Sequence, residues 1–522
     1  MKPSFCTECG NPLGRADLFC TGCGCQVPGP GAPGEAAPVA LPAFTDGWRR
    51  GATLPPIPEK GRIQLWLTNS RRLREQLDPE ATARVLAIVR SKTGLHHGGA
   101  HLMLDLAGDF GDATPGWEDH VAVLAAAEER LRETRGRGFD AICIVGDDKI
   151  IPMAETADLT ETDEMVESDS VYSTLSHGNP WEDEPARNFE RAVGRLPVGA
   201  NWGVDAFAAC LDNTATARTS SIARSFVHGV SAQCWREASQ AVLQDLGGGL
   251  VQSSPEVDHQ TLVHRWDQKS PWQYFNLHGA NEEPGWYGEG AFDYPVAFLP
   301  NQMNHLQSLN VVGVEACYGA RFIGLPVAES ALLSALSHKT VAFLGSSKIA
   351  FGPPRPPNRL ADVMIRDFLK HMRQGASAGA AHHMARHAVA ATLDAWDSDP
   401  AMVIKTLLSF NLFGDPSVTM GKPLQGLARL TNPPRIVLRD TLSPVRALLD
   451  ASMAETQRRL QAQMESRYRE LQGIEPVVRA INRDGQSERL RWGWKTKVGA
   501  IEKHWFVLTD AKGKTLSETH SK

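Results

Sequence analysis

The stretch Val311-Val312-Gly313-Val314-Glu315-Ala316-Cys317-Tyr318-Gly319 decides how this chain is read. Two branched valines, a glycine and a third valine predict a short buried strand, because β-branched side chains fit a pleated surface. The run breaks at a small residue, a cysteine and a glycine. Open α/β sheets build their sites at the carboxyl ends of strands, so Cys317 is predicted at a strand's mouth. A second stretch ends alike: Trp272-Gln273-Tyr274-Phe275-Asn276-Leu277, then His278-Gly279-Ala280. A thiol needs a base to serve as a nucleophile near neutral pH, and an imidazole at an adjoining strand end supplies one. The two stretches together predict a catalytic dyad, His278 and Cys317.

A lone histidine is usually a satisfied structural residue, and a buried cysteine is usually inert packing. His-Gly pairs also begin at 97, 177 and 228, but only His278 follows a strand-like run at a suitable distance before the cysteine strand. Outward from these two stretches the chain alternates. Ile63–Leu67, His101–Leu106 and Ala141–Val145 read as strands, and 119–135 has helical apolar spacing. Further on, 203–217, 236–246, 329–336 and 359–374 read as helices, with strands at 224–230 and 341–345. The alternation predicts an α/β fold, a mostly parallel sheet flanked by helices. A last helix near 376–395 carries His382, His383 and His387. No carboxylate or cysteine completes a metal face there, so it reads as a solvated or core-edge helix.

The motifs and their order resemble the caspase clan of cysteine peptidases, and more of the chain is similar to its gingipain-like branch. Glu315-Ala316-Cys317-Tyr318-Gly319 is similar to the caspase signature Gln-Ala-Cys-x-Gly. Ile142-Cys143-Ile144-Val145-Gly146-Asp147 with Ile151-Pro152, then Ser168-Asp169-Ser170-Val171-Tyr172, then Val193-Gly194-Arg195-Leu196-Pro197, resemble three gingipain landmarks in the right order. Leu412-Phe413-Gly414-Asp415-Pro416-Ser417 closes the resemblance, which spans roughly residues 60 to 425. It implies an endopeptidase in which Cys317 attacks, His278 handles protons, and the backbone N–H groups of Gly279 and Cys317 hold the oxyanion. It also implies a residue orienting the histidine, for which Gln233 in Ser231-Ala232-Gln233 is the candidate, and an aromatic pocket wall at Phe351. For the specificity pocket the sequence leaves alternatives open. Arg236 is able to accept an acidic side chain, and Glu237 or the Glu282/Glu283 pair a basic one, although each reads individually as a surface charge. Asp415 reads as a turn-maker.

Five parts are expected. Residues 1–26 hold Cys6-x-x-Cys9 and Cys20-x-x-Cys23, two knuckles that suit one tetrahedral structural Zn2+. The pattern resembles the zinc ribbons of many bacterial proteins. Residues 27–59 are a linker rich in Pro, Gly and Ala. Residues 60–200 form an N-terminal α/β subdomain, 201–430 the catalytic subdomain, and 431–522 a small α+β domain of one helix over 444–472 and an antiparallel meander. No metal or cofactor is expected in catalysis.

The net charge of −6 over 522 residues gives no general attraction to nucleic acid or membranes. No run is apolar enough to span a bilayer, the amino terminus lacks a secretory core, and the cysteine usage suits a reducing interior. The expectation is a cytoplasmic endopeptidase acting on protein or peptide substrates, with a protein partner at the zinc ribbon or C-terminal domain. The rival reading is a non-catalytic adaptor that keeps the fold and binds its partner through the ribbon. Geometry separates them, since a scaffold has no need to bring His278 and Cys317 together.

Overall fold

Arg62–Thr68 carries Ile, Leu, Trp and Leu almost without interruption, and all but its first residue are buried. Such a strand needs cover on both faces, and it sits inside an eleven-stranded sheet. The computed structural model describes residues 62–522 except 97–98, 108–115, 179–182, 184–186, 221–225, 291–292, 394, 422–439, 445–450 and 484–485. The predicted zinc ribbon with Cys6, Cys9, Cys20 and Cys23 and the 27–59 linker lie outside the described residues. All described residues fall within one compact unit, Asp46–Lys522.

The sheet order is Gly94–His96, Gly99–Asp105, Arg62–Thr68, Ala141–Val145, Ala192–Leu196, Phe410–Gly414, Thr340–Ser346, Asn310–Val314, Trp272–Asn276, Val227–Ala232 and Gly249–Ser254. The strands from Gly99–Asp105 through Phe410–Gly414 are parallel to one another, as are those from Thr340–Ser346 through Gly249–Ser254. The two sets meet antiparallel, where Phe343 faces Phe413. Two parallel half-sheets therefore run in opposite senses. In the second half the ends at Ala232, Asn276, Val314 and Ser346 share one rim. The two expected subdomains are thus halves of one sheet, and Phe410–Gly414, from the second segment, pairs with the first half.

Helices cover this sheet. Ala361–Arg373 turns Met364, Ile365, Phe368, Leu369 and Met372 inward, and Ile365 fills the space beside Gly313 of the cysteine strand. Ala378–Ala390 is buried along most of its length. Its His383 and His387 meet at 3.0 Å between Nε2 atoms, and burial, then neighbouring positive charge, pushes both below the usual imidazole range. The helix is thus buried in the core rather than solvated.

The landmark motifs converge on one buried cation. Arg195 is fully buried, and its guanidinium donates to both oxygens of Asp169 and to the carbonyls of Gly146 and Ile151 at 2.8 Å each. Tyr172 Oη donates to the Pro152 carbonyl at 2.6 Å. Three distant stretches are tied together by one network in which the cation and its counter-ion satisfy each other. Asp415 caps its own turn through Ser417 N–H at 2.9 Å and also binds Arg218 at 2.7 Å.

The C-terminal segment differs from the expected separate module. Pro444, expected to open the helix, instead ends the strand Asp440–Pro444. The helix is Ala451–Arg467, followed by a 3-10 turn at Arg469–Leu471. Strands Val477–Arg483, Gln486–Val498, Ile501–Asp510 and Thr515–Ser521 follow. The last was not predicted. It joins Phe351–Gly352, from the second half of the chain, so that the six-stranded sheet extends onto the rim of the larger one. Trp492, Trp494 and Trp505 pack with Leu460 and Met464 of the helix as a second core. Among the described residues, no helix is long and apolar enough to cross a membrane.

Candidate active site

Val311, Val312 and Val314 are wholly buried between helices, which fixes the cysteine strand in the sheet's centre. Burying each such side chain stabilises the fold by about 1.5–3 kcal/mol. The neighbouring strand Trp272–Asn276 pairs with it in register, Phe275 opposite Val314. Both chains leave the sheet at the same rim, and the leaving segments touch. A side chain on Gly279 would overlap the Cys317 carbonyl, so glycine is needed there for close approach. Tyr318, directly after the cysteine, has a left-handed backbone with φ 54, an uncommon conformation for a residue with a side chain. His278 and Gly279 then pair antiparallel with Tyr287 and Trp286.

His278 is almost wholly enclosed. Its ring lies against Trp235, centroids 4.4 Å apart, and its Nε2 meets Glu289 Oε2 at 2.6 Å. Nδ1 is buried with no hydrogen-bond partner. A carboxylate on Nε2 fixes the proton there and leaves the Nδ1 lone pair free. Burial pulls the imidazole below its usual range, partly offset by the bond to Glu289 and that residue's charge. For Glu289, burial favours the neutral acid, but the bond and charge of His278 and the charge of Lys503 outweigh it and hold the carboxyl below its usual range. Lys503, from the C-terminal sheet, donates to Glu289 Oε1 at 2.7 Å and to Glu470 at 2.9 Å.

The Cys317 thiol donates to the Ala350 carbonyl at 3.6 Å and accepts from Ala350 N–H at 3.4 Å. Burial pushes it up to about 12, so it is a neutral thiol in this state. Its backbone N–H donates to the carbonyl of Lys522 at 3.0 Å, and Lys522 N–H donates to the Ala350 carbonyl at 2.9 Å. The Lys522 side chain is buried, with Nζ bonded to both Glu315 and Asp362 and 5.4 Å from the Trp235 ring centroid. Burial opposes the ammonium, and the two carboxylates outweigh it and raise Lys522. Burial, then the charge of Asp362, pushes Glu315 well above its usual range, while the ammonium pulls the other way. Gly352 makes room, since a Cβ there would overlap Lys522 Cε. A separate pocket of about 240 Å³ reaches Cys317 and is lined by Ala280, Glu283, Trp286, Tyr318 and Arg321. Lys522, Glu315 and Asp362 do not line it.

The structure thus sets the predicted Gly279 against Cys317, with His278 next to Gly279 in the same segment, and reassigns several neighbours. Gln233 is exposed, and the group bonded to the imidazole is Glu289, eleven residues after His278 in the Gly288-Glu289-Gly290 loop. Arg236 pairs with Glu256 at 3.2 Å and Glu237 lies 3.7 Å from Arg355, all four well exposed. Neither lines the pocket beside Cys317, because each sits on the solvent side of the helix. Glu282 is on the rim of the open pocket and 3.2 Å from Lys497. Phe351 is fully buried, and its backbone meets Ser521. The residues that sequence reasoning missed are Glu289, Glu315 and Asp362.

The profile of peptidase family C25 matches residues 112–421. No curated protein matches this sequence. Among solved structures, the Arg-specific cysteine proteinase gingipain R (RgpB) matches with TM-score 0.49 and 12% identity, over 88% of this chain and 97% of that one. A complex of Porphyromonas gingivalis RgpB pro- and mature domains matches with TM-score 0.49 and 12% identity, over 87% and 98%. The family profile covers more than half of the sequence, including both strand-end motifs, and the chain belongs to peptidase family C25, the gingipain family, as a cysteine peptidase.

Proposed function

We propose that the chain is an intracellular endopeptidase that cleaves after lysine, with Cys317 as nucleophile and His278 as its base and acid. One observation carries this reading: Lys522 lies across the site as the acyl half of a cleaved peptide would. Its carbonyl accepts from Cys317 N–H, its N–H pairs with Ala350, and its ammonium enters the pocket closed by Glu315 and Asp362. A carbonyl held there has its developing negative charge met by a fixed donor, which acts most strongly where water is excluded.

The chemistry follows from the atoms at hand. His278 Nδ1 takes the thiol proton as Sγ attacks the carbonyl carbon of the substrate lysine. The tetrahedral centre collapses, the C–N bond breaks, and the imidazolium returns the proton to the leaving amine. Water then hydrolyses the thioester with the imidazole again as base. Residues beyond the scissile bond have the 240 Å³ pocket to enter. A lysine in the acidic pocket replaces its hydration with the paired acids Glu315 and Asp362, and a neutral side chain would leave their shared negative charge buried without a counter-ion.

Profiling cleavage of a peptide library in long incubations tests this. Cuts should follow lysine, Cys317→Ala should reduce them to background, and Asp362→Asn should lower kcat/KM for lysyl peptides by about 10²-fold or more. Cuts without preference for lysine would overturn the specificity, and full activity in Cys317→Ala would overturn the mechanism.

A further inference from the structure

We propose that Thr515–Lys522 is a tethered, substrate-like occupant of the chain's own cleft, which keeps the peptidase blocked until this strand is displaced. The inference rests on the lysine-directed reading of the same site and adds its regulation.

The strand is gripped on two edges and at Lys522. Along one edge it pairs antiparallel with Ile501–Asp510, His520 opposite Trp505 and Thr519 opposite Phe506. Along the other it pairs with Phe351–Gly352, Ser521 opposite Phe351. That second edge is the one an extended peptide would use, since strand addition satisfies an open sheet edge by main-chain bonds and reads side chains in pockets. The strand leads into Lys522, whose contacts are those assigned above to a substrate lysine. While it is seated, Cys317 and His278 are 2% and 1% exposed. No incoming peptide can lay its carbonyl on Cys317 N–H while the Lys522 carbonyl is there.

The tether makes the block effective. Thr515 follows Asp510 after a tight turn closed by Gly513 N–H on the Asp510 carbonyl at 3.0 Å and Asp510 N–H on the Lys514 carbonyl at 3.0 Å. A short tether presents its ligand at an effective concentration in the millimolar range, well above that of a peptide free in solution. The grip is uneven, however. Five residue pairs hold the strand to its own sheet and two hold it to Phe351–Gly352. Release therefore means parting from the cleft edge, with the strand kept on the C-terminal sheet. Lys503 sits on that sheet too and binds Glu289, so a shift of the sheet also alters the group that holds His278.

The test uses the full chain and two independent readouts: alkylation of Cys317 by iodoacetamide, followed by mass spectrometry, and hydrolysis of a fluorogenic lysyl amide. In Lys522→Ala, and in the bulk-preserving Lys522→Met, both should rise about tenfold or more, and an added peptide of sequence 515–522 should suppress them again. In the unmodified chain, a saturating peptide aldehyde ending in lysine should strip hydrogen-exchange protection from the Lys522 amide, which donates to Ala350 at the cleft edge, and this keeps the proposal testable if both variants fail to fold. Unchanged alkylation in folded variants, or protection retained under the aldehyde, overturns the block. If alkylation rises without hydrolysis, the block stands and the peptidase reading falls. If the unmodified chain hydrolyses the amide as fast as the variants, the peptidase reading stands and the block falls.

Discussion

At Glu289 two opposing effects meet. Burial favours a neutral acid, while the imidazole at 2.6 Å and the ammonium of Lys503 favour the carboxylate and prevail. The carboxylate in turn raises the basicity of His278, which burial alone would depress further. Glu289→Gln keeps the shape and removes the charge. It should lower kcat on lysyl peptides by about 10²- to 10⁴-fold. The imidazolium would also lose its counter-charge, so the pKa of His278 falls and the acid limb of the kcat/KM profile moves to lower pH. A profile superposing on that of the unmodified chain would remove Glu289 from the mechanism. Sequence reasoning sought this partner at Gln233, after the neighbouring strand, because the resemblance pointed there. The signal for Glu289 was weak, an acid between two glycines in a loop, where solvation is the usual fate. Glu315 left a stronger clue. It follows a run of four apolar or small residues, and a carboxyl at a buried strand end needs a partner.

Among the elements, the central strands were readable because burial on both faces leaves near-continuous apolar runs, as in Ala141–Val145 and Asn310–Val314. Thr515–Ser521 was not readable. Its sequence, Thr-Leu-Ser-Glu-Thr-His-Ser, has one aliphatic residue, and it is a strand through its partners: the Ile501–Asp510 edge, the Ser521 hydroxyl accepting from His504 N–H at 2.9 Å, and Glu518 held by Arg467 at 2.7 Å. No periodicity announces a strand stabilised in this way. The landmark motifs were legible as an order of residues, but their physical content, one shared cation, needed the fold. Asp169→Ala leaves Arg195 buried without a counter-ion and should cost about 3–5 kcal/mol, read as a lower denaturant midpoint. The fraction still folded should cleave at an unchanged rate. A midpoint within error of the unmodified chain would mean that the carbonyls of Gly146 and Ile151 suffice for the guanidinium.

The whole molecule carries several carboxylates with depressed pKa values. At Asp158 and Asp415 burial works toward the neutral acid, but Lys405 in the first case and Arg218 with Ser417 in the second outweigh it. Groups whose folded pKa lies below the ordinary 3.8 stabilise the native state fully above that value and cease to do so as the pH falls through the folded value. The melting temperature should therefore vary little just above about pH 5 and drop from about pH 4 downward. Asp158→Asn should make that drop shallower; an equally steep one would assign acid sensitivity elsewhere. The fold class was legible at this scale from the alternation of strands and helices. The opposed senses of the two half-sheets, and the sharing of Phe351–Gly352 between two sheets, depend on long-range pairing that no local pattern encodes.

Gly352 carries a consequence of its own. The bare backbone at this position is what leaves room for the Lys522 stem, and on the proposed reading a substrate lysine would take the same room. A methyl group at that wall would press on Cε and Nζ of Lys522 and force them to shift, and on the proposed reading it would crowd a substrate lysine in the same way. If the two proposals above hold, restraint and appetite are cut from the same surface, and a lineage altering what this enzyme eats would have to re-fit its muzzle as well.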